Sequence, residues 1–179
     1  MIAVFLANGF EEIEALAVVD LLRRADLQVV TVGVGTDRPV GSHGICVEAD
    51  EPETTLCIEE LTAVVLPGGM PGTLNLEKSE VVQSAVRFAM ANSIPVGAIC
   101  AAPSVLGHAG YLNGLHATCY PGFETELEGA IYEEGGVVTD GTITTAAGAG
   151  VAVDFALELV RRLVSVAKAE EIRRGIQCQ

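Results

Sequence analysis

One cysteine in this chain stands directly between a short apolar segment and the start of a helix. Residues 94–99 read Ile-Pro-Val-Gly-Ala-Ile, Cys100 comes next, and Pro103 follows at a position that suits the first turn of a helix. A thiol on a sharp strand-to-helix turn lies at the edge of a sheet, where the amides and dipole of the helix lower its pKa. The position therefore predicts a nucleophilic cysteine; the alternative is a small buried residue without a chemical role.

A glycine pair ends another apolar segment. Residues 63–66 read Ala-Val-Val-Leu and are followed by Pro67-Gly68-Gly69. Glycine backbone N–H groups have no side chain in the way, so Gly68 and Gly69 could line a pocket that holds an oxyanion. The Lys-Ser/Thr pair of a phosphate-binding loop is missing, which disfavours nucleotide binding. The alternative is a plain turn between a strand and a helix.

Three acids stand near the beginning of the first predicted helix, at Glu11, Glu12 and Glu14. Acids are common in the first turn of a helix because they interact well with its dipole. A carboxyl group beside a reactive thiol has a different role: when protonated, it donates a hydrogen bond that favours the thiolate. The spacing does not choose among the three.

The histidines offer candidate bases for a cysteine–histidine pair, at His43, His108 and His116. His108 lies eight residues beyond Cys100, which is about 12 Å along a continuous helix and too far for direct contact. The other two lie in segments without a clear periodic pattern. Each histidine, taken alone, is explained better by a place on the surface or in the core than by a catalytic role.

The five cysteines are an odd number, are scattered, and contain no Cys-x-x-Cys motif. This distribution indicates neither a disulfide framework nor a structural zinc site, so we expect reduced thiols, no bound metal and no cofactor. The cysteines are Cys46, Cys57, Cys100, Cys119 and Cys178.

Apolar runs alternate with helical patterns along the chain, which predicts an α/β fold with a mostly parallel sheet covered on both faces. We expect one domain over residues 1–179. Strands are predicted at 2–7, 27–34, 44–48, 63–66, 94–99 and 115–119; helices at 11–25, 78–91, 103–109 and 151–165; a hairpin at 137–145 that turns at Asp140-Gly141; and a short surface helix in the tail, 168–179. In such folds chemistry occurs at the carboxyl ends of the strands, where residues 8–14, residues 67–72 and Cys100 are expected to meet.

The composition excludes several classes of partner. The formal net charge of −14 repels nucleic acid and anionic lipid surfaces. No apolar run approaches the roughly 20 residues of a membrane span. The first residues lack the basic region of a signal peptide and lead directly into the acids of the first helix. We therefore expect a soluble cytoplasmic protein that binds neither nucleic acid nor membranes.

Three motifs in order resemble the ThiJ/PfpI superfamily, and within it the branch of the human parkinsonism-associated protein (DJ-one-like). They are Asn-Gly-Phe-Glu-Glu-Ile-Glu at 8–14, Val-Val-Leu-Pro-Gly-Gly at 64–69, and Ala-Ile-Cys-Ala-Ala-Pro at 98–103. The resemblance covers nearly the whole chain, including residues 18–24 and 154–157.

The resemblance implies a flavodoxin-like three-layer sandwich that is usually a dimer. It implies that Cys100 is the reactive cysteine and that Glu14 is the glutamate that hydrogen-bonds it, in protonated form. It implies that Gly69 and Ala101 supply the N–H groups of an oxyanion-hole-like pocket, and that Arg24 lies on the dimer side. Members are described as glyoxalases that need no cofactor, protein deglycases, oxidative-stress sensors, chaperones or, in the PfpI branch, peptidases.

Two positions depart from the family's pattern. Tyr120 stands where this branch often has a histidine near the cysteine, and a tyrosine with a pKa near 10 is a poor base at neutral pH. Ala101 stands where PfpI-type peptidases have a histidine, so a peptidase role is not expected. Cys119, beside Tyr120, is either a resolving partner for an oxidised Cys100 or an ordinary strand cysteine.

Three functions follow as hypotheses. In the first, Cys100 and Glu14 convert small reactive carbonyls, as a cofactor-independent glyoxalase or a protein or nucleotide deglycase does. In the second, an oxidant converts Cys100 to a sulfinic acid, and the protein acts as a stress sensor or chaperone without turnover. In the third, the fold is a binding domain with an inert site.

Overall fold

The computed structural model describes residues 1–178 of the 179-residue chain. Its strands form where apolar residues run without interruption; all six residues of the first strand are buried, as expected for a strand covered on both faces. The strands are β1 (Ile2–Ala7), β2 (Val29–Val34), β3 (Glu51–Pro52), β4 (Ala63–Leu66), β5 (Val96–Ile99), β6 (His116–Ala117), β7 (Ile131–Tyr132), β8 (Val137–Asp140) and β9 (Ile143–Ala146).

Seven strands form the main sheet, in the order β3-β2-β1-β4-β5-β9-β8. All neighbours are parallel except β8 and β9, which form the predicted antiparallel hairpin. Strands β6 and β7 pair separately. The chain adds strands first on one side of β1 and then on the other, so the sheet has a topological switch point between β1 and β4.

Helices cover both faces of the sheet. They are α1 (Glu12–Arg24), α2 (Gly72–Lys78), α3 (Glu80–Ala91), α4 (Pro103–His108), α5 (Ala152–Leu163) and α6 (Val166–Gly175). One core joins α1, α5 and α6 to the sheet around Leu22 and Phe155. The other joins α2, α3 and α4 to the opposite face around Phe5 and Leu106. The predicted α/β class and the three-layer sandwich are confirmed.

One expected strand and the expected tail helix need correction, and one helix was not predicted. Residues 44–48 are not a strand, because the segment folds back in a small loop closed by a single antiparallel bridge between Val40 and Cys46; the edge strand is β3 instead. Helix α2 was not predicted, since it begins within the Pro- and Gly-rich run that looked like a turn.

The tail helix begins earlier than expected and is not confined to the surface. The Ser165 hydroxyl caps α6 by accepting a hydrogen bond from the Lys168 N–H, and Ala169 and Ile172 are buried in the core beside α5. The predicted range 168–179 ends at Gln179, which lies outside the described residues.

The strand order decides where the three motifs meet. Strands β1, β4 and β5 are adjacent and parallel, so the segments after them emerge at the same edge of the sheet.

Among the described residues, none of the helices combines the length and the apolar composition that crossing a bilayer requires.

Candidate active site

Cys100 occupies a strained turn between β5 and α4. Its φ of +64° lies in the left-handed region that non-glycine residues rarely adopt. The turn is held on both sides, because the Cys100 N–H donates to the Ala146 carbonyl at 2.8 Å and the Cys100 carbonyl accepts from the Tyr120 N–H at 2.8 Å. The cysteine remains partly exposed. The strand-to-helix turn expected from the sequence is therefore present.

The glycine loop after β4 packs against this turn more closely than other residues would allow. A Cβ atom added to Gly68 would lie 2.6 Å from the Cys100 Cβ and 2.7 Å from the Glu14 Oε2. Gly69 has a φ of +90°, and the backbones of Gly9 and Glu11 pack against it. The glycines are thus required for the close approach of this loop to the cysteine.

Two backbone N–H groups face the Cys100 sulfur. They belong to Gly69 and Ala101, and each hydrogen bond acts to lower the pKa of the thiol. Two convergent backbone donors at a nucleophile also suit the oxygen that becomes negative when the nucleophile attacks a carbonyl.

Glu14 is the acid that reaches the cysteine. Its side chain is buried, with only 1% of the residue exposed, and Oε2 accepts a hydrogen bond from the Gly68 N–H at 2.8 Å. Oε1 receives no N–H or O–H donor from the described residues, and the carboxyl group hydrogen-bonds the Cys100 thiol. The helix periodicity explains the choice among the three acids, because Glu14 lies on the face of α1 that packs on the sheet.

Burial raises the pKa of Glu14 to about 7, and the nearby charge of Glu11 acts in the same direction. The hydrogen bonds from Cys100 and Gly68 act against this shift without cancelling it. A carboxyl group with a pKa near 7 both accepts and returns protons at neutral pH.

Burial also raises the pKa of the Cys100 thiol, to about 12, and the charge and hydrogen bond of Glu14 add to the effect of burial. The lowered thiol pKa expected from the helix start is therefore wrong for this protein, because desolvation and the neighbouring carboxylate outweigh the two N–H groups. Glu14 loses its proton first, and the ionised pair then carries one negative charge and one proton. That proton is shared between sulfur and carboxylate, so Glu14 is placed to take it when the sulfur attacks.

The other predicted pocket residues differ in their surroundings. Tyr120 is tied to Cys100 through the backbone, and its half-exposed ring packs 3.2 Å from the position of a Cβ on Gly148. Cys119 is buried, and desolvation together with the Glu124 charge raises the pKa of its thiol to about 11. A buried thiol with a raised pKa lacks the exposure and thiolate character of a resolving cysteine.

None of the three histidines is hydrogen-bonded to Cys100 in the described part of the chain. His108 lies between Glu77 and Glu126, and His116 contacts Glu133. His43 contacts Glu11 and Glu12. The base beside the thiol is therefore a carboxylate.

Arg24 is exposed near the end of α1, and its guanidinium donates to Asp20 at 2.8 Å. Two supporting residues were not predicted from the sequence. Ala146, the last residue of β9, holds the cysteine turn, and Gly148, just after β9, packs against the Tyr120 ring. The available signal was the place of β9 beside β5, which becomes visible only when the strand order is known.

Residues 1–162 match the sequence pattern of the DJ-1/PfpI family. The chain belongs to this family. It is 32% identical over 176 residues to protein dj-1beta of Drosophila melanogaster, covering 97% of this chain and 94% of the relative.

Two further relatives of the family bear on structure and function. The oxidized DJ-1 of Toxoplasma gondii superposes with a TM-score of 0.94 at 33% identity, covering 98% of this chain and 97% of that one. A protein of Pyrococcus horikoshii named as a deglycase is 32% identical over 138 residues, which is 75% of this chain and 82% of the relative.

Proposed function

We propose that this protein is a cysteine-dependent enzyme that converts small reactive carbonyl compounds. The observation that carries the proposal is the pairing of the Cys100 thiol with a buried Glu14 carboxyl group whose pKa is raised to about 7. A nucleophile within hydrogen-bond reach of a group that exchanges protons at neutral pH is the arrangement that covalent catalysis on a carbonyl requires.

The first step joins the substrate to the cysteine. The Cys100 sulfur attacks the aldehyde carbon of a dicarbonyl such as methylglyoxal, a C–S bond forms, and the thiol proton passes to the Glu14 carboxylate. The carbonyl oxygen becomes an alkoxide beside the N–H groups of Gly69 and Ala101. Glu14 then returns the proton to this oxygen, which gives a hemithioacetal and restores the carboxylate.

The second step moves a proton between the two carbons of the substrate. The Glu14 carboxylate removes the hydrogen from the carbon bonded to sulfur, and the neighbouring ketone oxygen becomes an enediolate, which takes the proton of the adjacent hydroxyl group. Return of the proton from Glu14 to the neighbouring carbon then gives a thioester of lactate, and water hydrolyses this thioester to lactate and the free thiol. One carbon is oxidised as the other is reduced, so the reaction needs no cofactor.

The same first step serves a deglycase reaction. In a glycated amine or thiol adduct, the former aldehyde carbon would form a C–S bond with Cys100 as its bond to the amine or thiol breaks, and the leaving group would take a proton from Glu14. Membership of a family with a deglycase-named relative supports this version. Free methylglyoxal and a glycated adduct share the dicarbonyl carbon skeleton, and both reactions end in lactate.

The test is lactate formation from methylglyoxal by the purified protein without glutathione. We expect turnover by the native protein and none by Cys100→Ala, while Cys46→Ser, at an exposed cysteine outside the site, serves as the matched control. Equal lactate formation by the native protein and Cys100→Ala would show that the proposal is wrong. Replacing methylglyoxal with a preformed glycated cysteine or lysine adduct distinguishes glyoxalase from deglycase activity.

A second candidate function is oxidation of Cys100 to a sulfinic acid without turnover, as a stress sensor or chaperone. The observation that favours it is the set of donors around the sulfur, since the N–H groups of Gly69 and Ala101 and a protonated Glu14 can bind sulfinate oxygens. Two equivalents of peroxide would each transfer one oxygen to the sulfur and leave as water. Intact-mass analysis should show a gain of about 32 Da confined to Cys100; equal oxidation of all five thiols would exclude a selective sensor.

We also propose that the protein is a cytoplasmic homodimer that uses the exposed face of α1. Ile13 and Leu16 are exposed apolar residues on this helix, and Asp20 and Arg24 continue the same stripe at helical spacing. Light scattering should give twice the chain mass for the native protein and the single-chain mass for Ile13→Glu/Leu16→Glu. A monomeric native protein would overturn this part of the proposal.

A further inference from the structure

One histidine and two glutamates that are not part of the Cys100–Glu14 pair hold their potential metal-ligand atoms close together. The His43 Nδ1 lies 3.0 Å from Glu12 Oε2 and 3.6 Å from Glu11 Oε1. All three atoms lie within 4.8 Å of one another. Ligands at bond lengths of about 2.0–2.1 Å around a tetrahedral zinc ion are roughly 3.3–3.5 Å apart. The two measured separations lie on either side of that spacing.

Each carboxylate has one oxygen that accepts a hydrogen bond from the His43 loop and one that faces the imidazole. Glu12 Oε1 accepts hydrogen bonds from the N–H groups of His43 at 2.8 Å and Ile45 at 3.4 Å. Glu12 Oε2 is directed at the imidazole, and the Ser42 hydroxyl lies 3.4 Å from this oxygen and 3.1 Å from His43 Nδ1. Glu11 Oε2 accepts from the Ser42 hydroxyl at 3.0 Å, which leaves Oε1 on the same side. Supporting hydrogen bonds of this kind fix the orientation of carboxylate ligands in metal sites.

The loop that carries His43 is shaped around the Glu12 carboxyl group. A Cβ atom on Gly41 would overlap the Glu12 carboxyl group, so a glycine is needed at this position. The Ser42 N–H donates to the Phe10 carbonyl at 2.8 Å, which ties the loop to the segment just before α1. The donors therefore come from two chain segments that the fold fastens together.

Glu11 and Glu12 share His43 as a basic partner. The side chains of Glu11 and Glu12 are 16% and 6% exposed, and no lysine or arginine among residues 1–178 forms an ion pair with either. Two largely buried carboxylates side by side favour a cation between them. The imidazole itself is 70% exposed, so the site opens to solvent on that side.

A second histidine of the chain provides a contrast. His108 also contacts two glutamates, but Nδ1 faces Glu77 at 2.6 Å and Nε2 faces Glu126 at 2.9 Å. Because the two carboxylates lie at opposite edges of the ring, their oxygens do not meet at one point with a ring nitrogen. Both clusters contain one histidine and two glutamates, but the ligand atoms converge around His43 and not around His108.

We propose that Glu11, Glu12 and His43 form a binding site for a divalent cation of the zinc class, with water as the remaining ligand. Two carboxylates and one imidazole nitrogen are ligands that suit Zn²⁺. Binding requires the imidazole tautomer whose hydrogen is on Nε2. The site lies next to the glycine loop, because the Glu11 N–H donates to the Gly68 carbonyl at 2.9 Å.

This site departs from the sequence-based expectation of no bound metal. About thirty residues separate the glutamates from the histidine, and no short metal-binding motif connects them. The inference is independent of turnover at Cys100, since it rests on a different set of side chains.

The test titrates the purified protein with Co²⁺, a spectroscopic substitute for Zn²⁺, and follows the visible absorption. We expect one Co²⁺ per chain without the intense near-ultraviolet band of a cobalt–thiolate bond, and competition by Zn²⁺. His43→Gln should weaken binding at least about tenfold, the effect typical of disturbing a metal site. His108→Gln is the matched control and should bind as the native protein does.

The controls separate a lost ligand from a disturbed fold and from binding by thiols. The His43 ring is exposed, so His43→Gln should keep the native far-ultraviolet circular dichroism, and added Zn²⁺ should raise the Tm of the native protein but not of this variant. The titration is repeated with Cys46→Ser, because Cys46 is exposed and close in sequence. Equal affinity of folded His43→Gln and native protein, or a thiolate band that Cys46→Ser or Cys100→Ala removes, would overturn the proposal.

Discussion

Glu12 and Glu14 are two residues apart on α1, but their surroundings shift the pKa values of their carboxyl groups in opposite directions. Both are buried, with 5% and 1% of the residue exposed. Burial raises the pKa of Glu12, yet hydrogen bonds from the His43 ring and from backbone N–H groups outweigh it and lower the pKa to about 2. Glu14 has fewer donors, and its pKa is raised to about 7.

Burial alone therefore does not decide whether a carboxyl group stays ionised. Glu12 is fully supplied with donors and therefore stays ionised, which makes it suitable for organising a loop and holding a cation. Glu14 accepts one backbone hydrogen bond at Oε2, and its Oε1 is buried without a hydrogen-bond donor among the described residues. It is consequently the group that exchanges a proton near neutral pH.

The largest effect that separates the two glutamates is expected in catalysis. Glu14→Gln should lower kcat/KM for methylglyoxal by about 10²–10⁴-fold, because general acid–base catalysis contributes that much. Glu12→Gln should lower it less than about tenfold, since Glu12 is not hydrogen-bonded to the cysteine. The measurement is the rate of lactate formation by the two variants, once both are shown to be folded. Comparable losses of kcat/KM in Glu14→Gln and Glu12→Gln would contradict the prediction.

Glycines facing each carboxylate give a second, smaller contrast. Gly68→Ala would push the new Cβ against Cys100 and Glu14, and displacing the pair by about 1 Å should cost roughly 100-fold in kcat/KM. Gly41→Ala would push against Glu12 instead and should lower the Tm with a much smaller loss of activity per folded molecule. Kinetics and thermal unfolding of both variants would show whether the two effects separate as expected.

Stability should depend on pH with opposite signs at the two sites. The pKa of Glu14 is raised from 4.5 to about 7. The contribution of Glu14 to the free energy of unfolding is therefore fully present below pH 4.5 and falls by about 3 kcal/mol as pH rises to 7. Glu14→Gln should therefore be more stable than the native protein above pH 7, by about 1–3 kcal/mol, and lose that advantage below pH 4.5.

Glu12 should behave in the reverse way. Its pKa is lowered from 4.5 to about 2, so its stabilising contribution is present above pH 4.5 and is lost as pH falls towards 2. Glu12→Gln should be less stable than the native protein at pH 7 by about 2 kcal/mol, because charge-assisted hydrogen bonds are lost. Urea unfolding of the native protein, Glu12→Gln and Glu14→Gln at a series of pH values measures both effects. If the free energy of unfolding changed with pH in the same way in the two variants, the prediction would be wrong.

The smallest effect is expected at Tyr120, next to the cysteine. Tyr120→His should raise lactate formation severalfold, because an imidazole exchanges protons near neutral pH and a phenol does not. Tyr120→Phe, which keeps the ring packed on Gly148, should change the rate by less than about twofold. A large loss in Tyr120→Phe would mean that the phenol itself takes part.

The sequence predicted most of the sheet and the three segments that meet at its edge, because apolar runs and helical spacing are local signals. It predicted the Cys100 turn from the neighbouring Pro103 and apolar strand. It did not predict the direction of the thiol pKa shift, since desolvation depends on how closely the Gly68 loop and Glu14 pack on the sulfur. Local pattern gave no information on that packing.

Two other features depend on contacts between distant segments. The edge strand β3 was missed because a two-residue strand has no periodic pattern, and residues 44–48 form a loop around Glu12 instead. Glu11, Glu12 and His43 come together because this same loop folds over the start of α1. The position of β3 and the position of the loop are therefore known only from the three-dimensional structure.

The pH dependence of Cys100 alkylation tests the shared proton between Cys100 and Glu14 most directly. Iodoacetamide labelling of the Cys100 peptide is followed by mass spectrometry in the native protein and in Glu14→Gln. For the native protein we expect the alkylation rate to rise around pH 7, as Glu14 ionises. The rate should then stay level up to the much higher pH at which the pair loses its second proton. Glu14→Gln should lose this rise; a single rise near the ordinary thiol value of about 8.5 in both proteins would contradict the coupling.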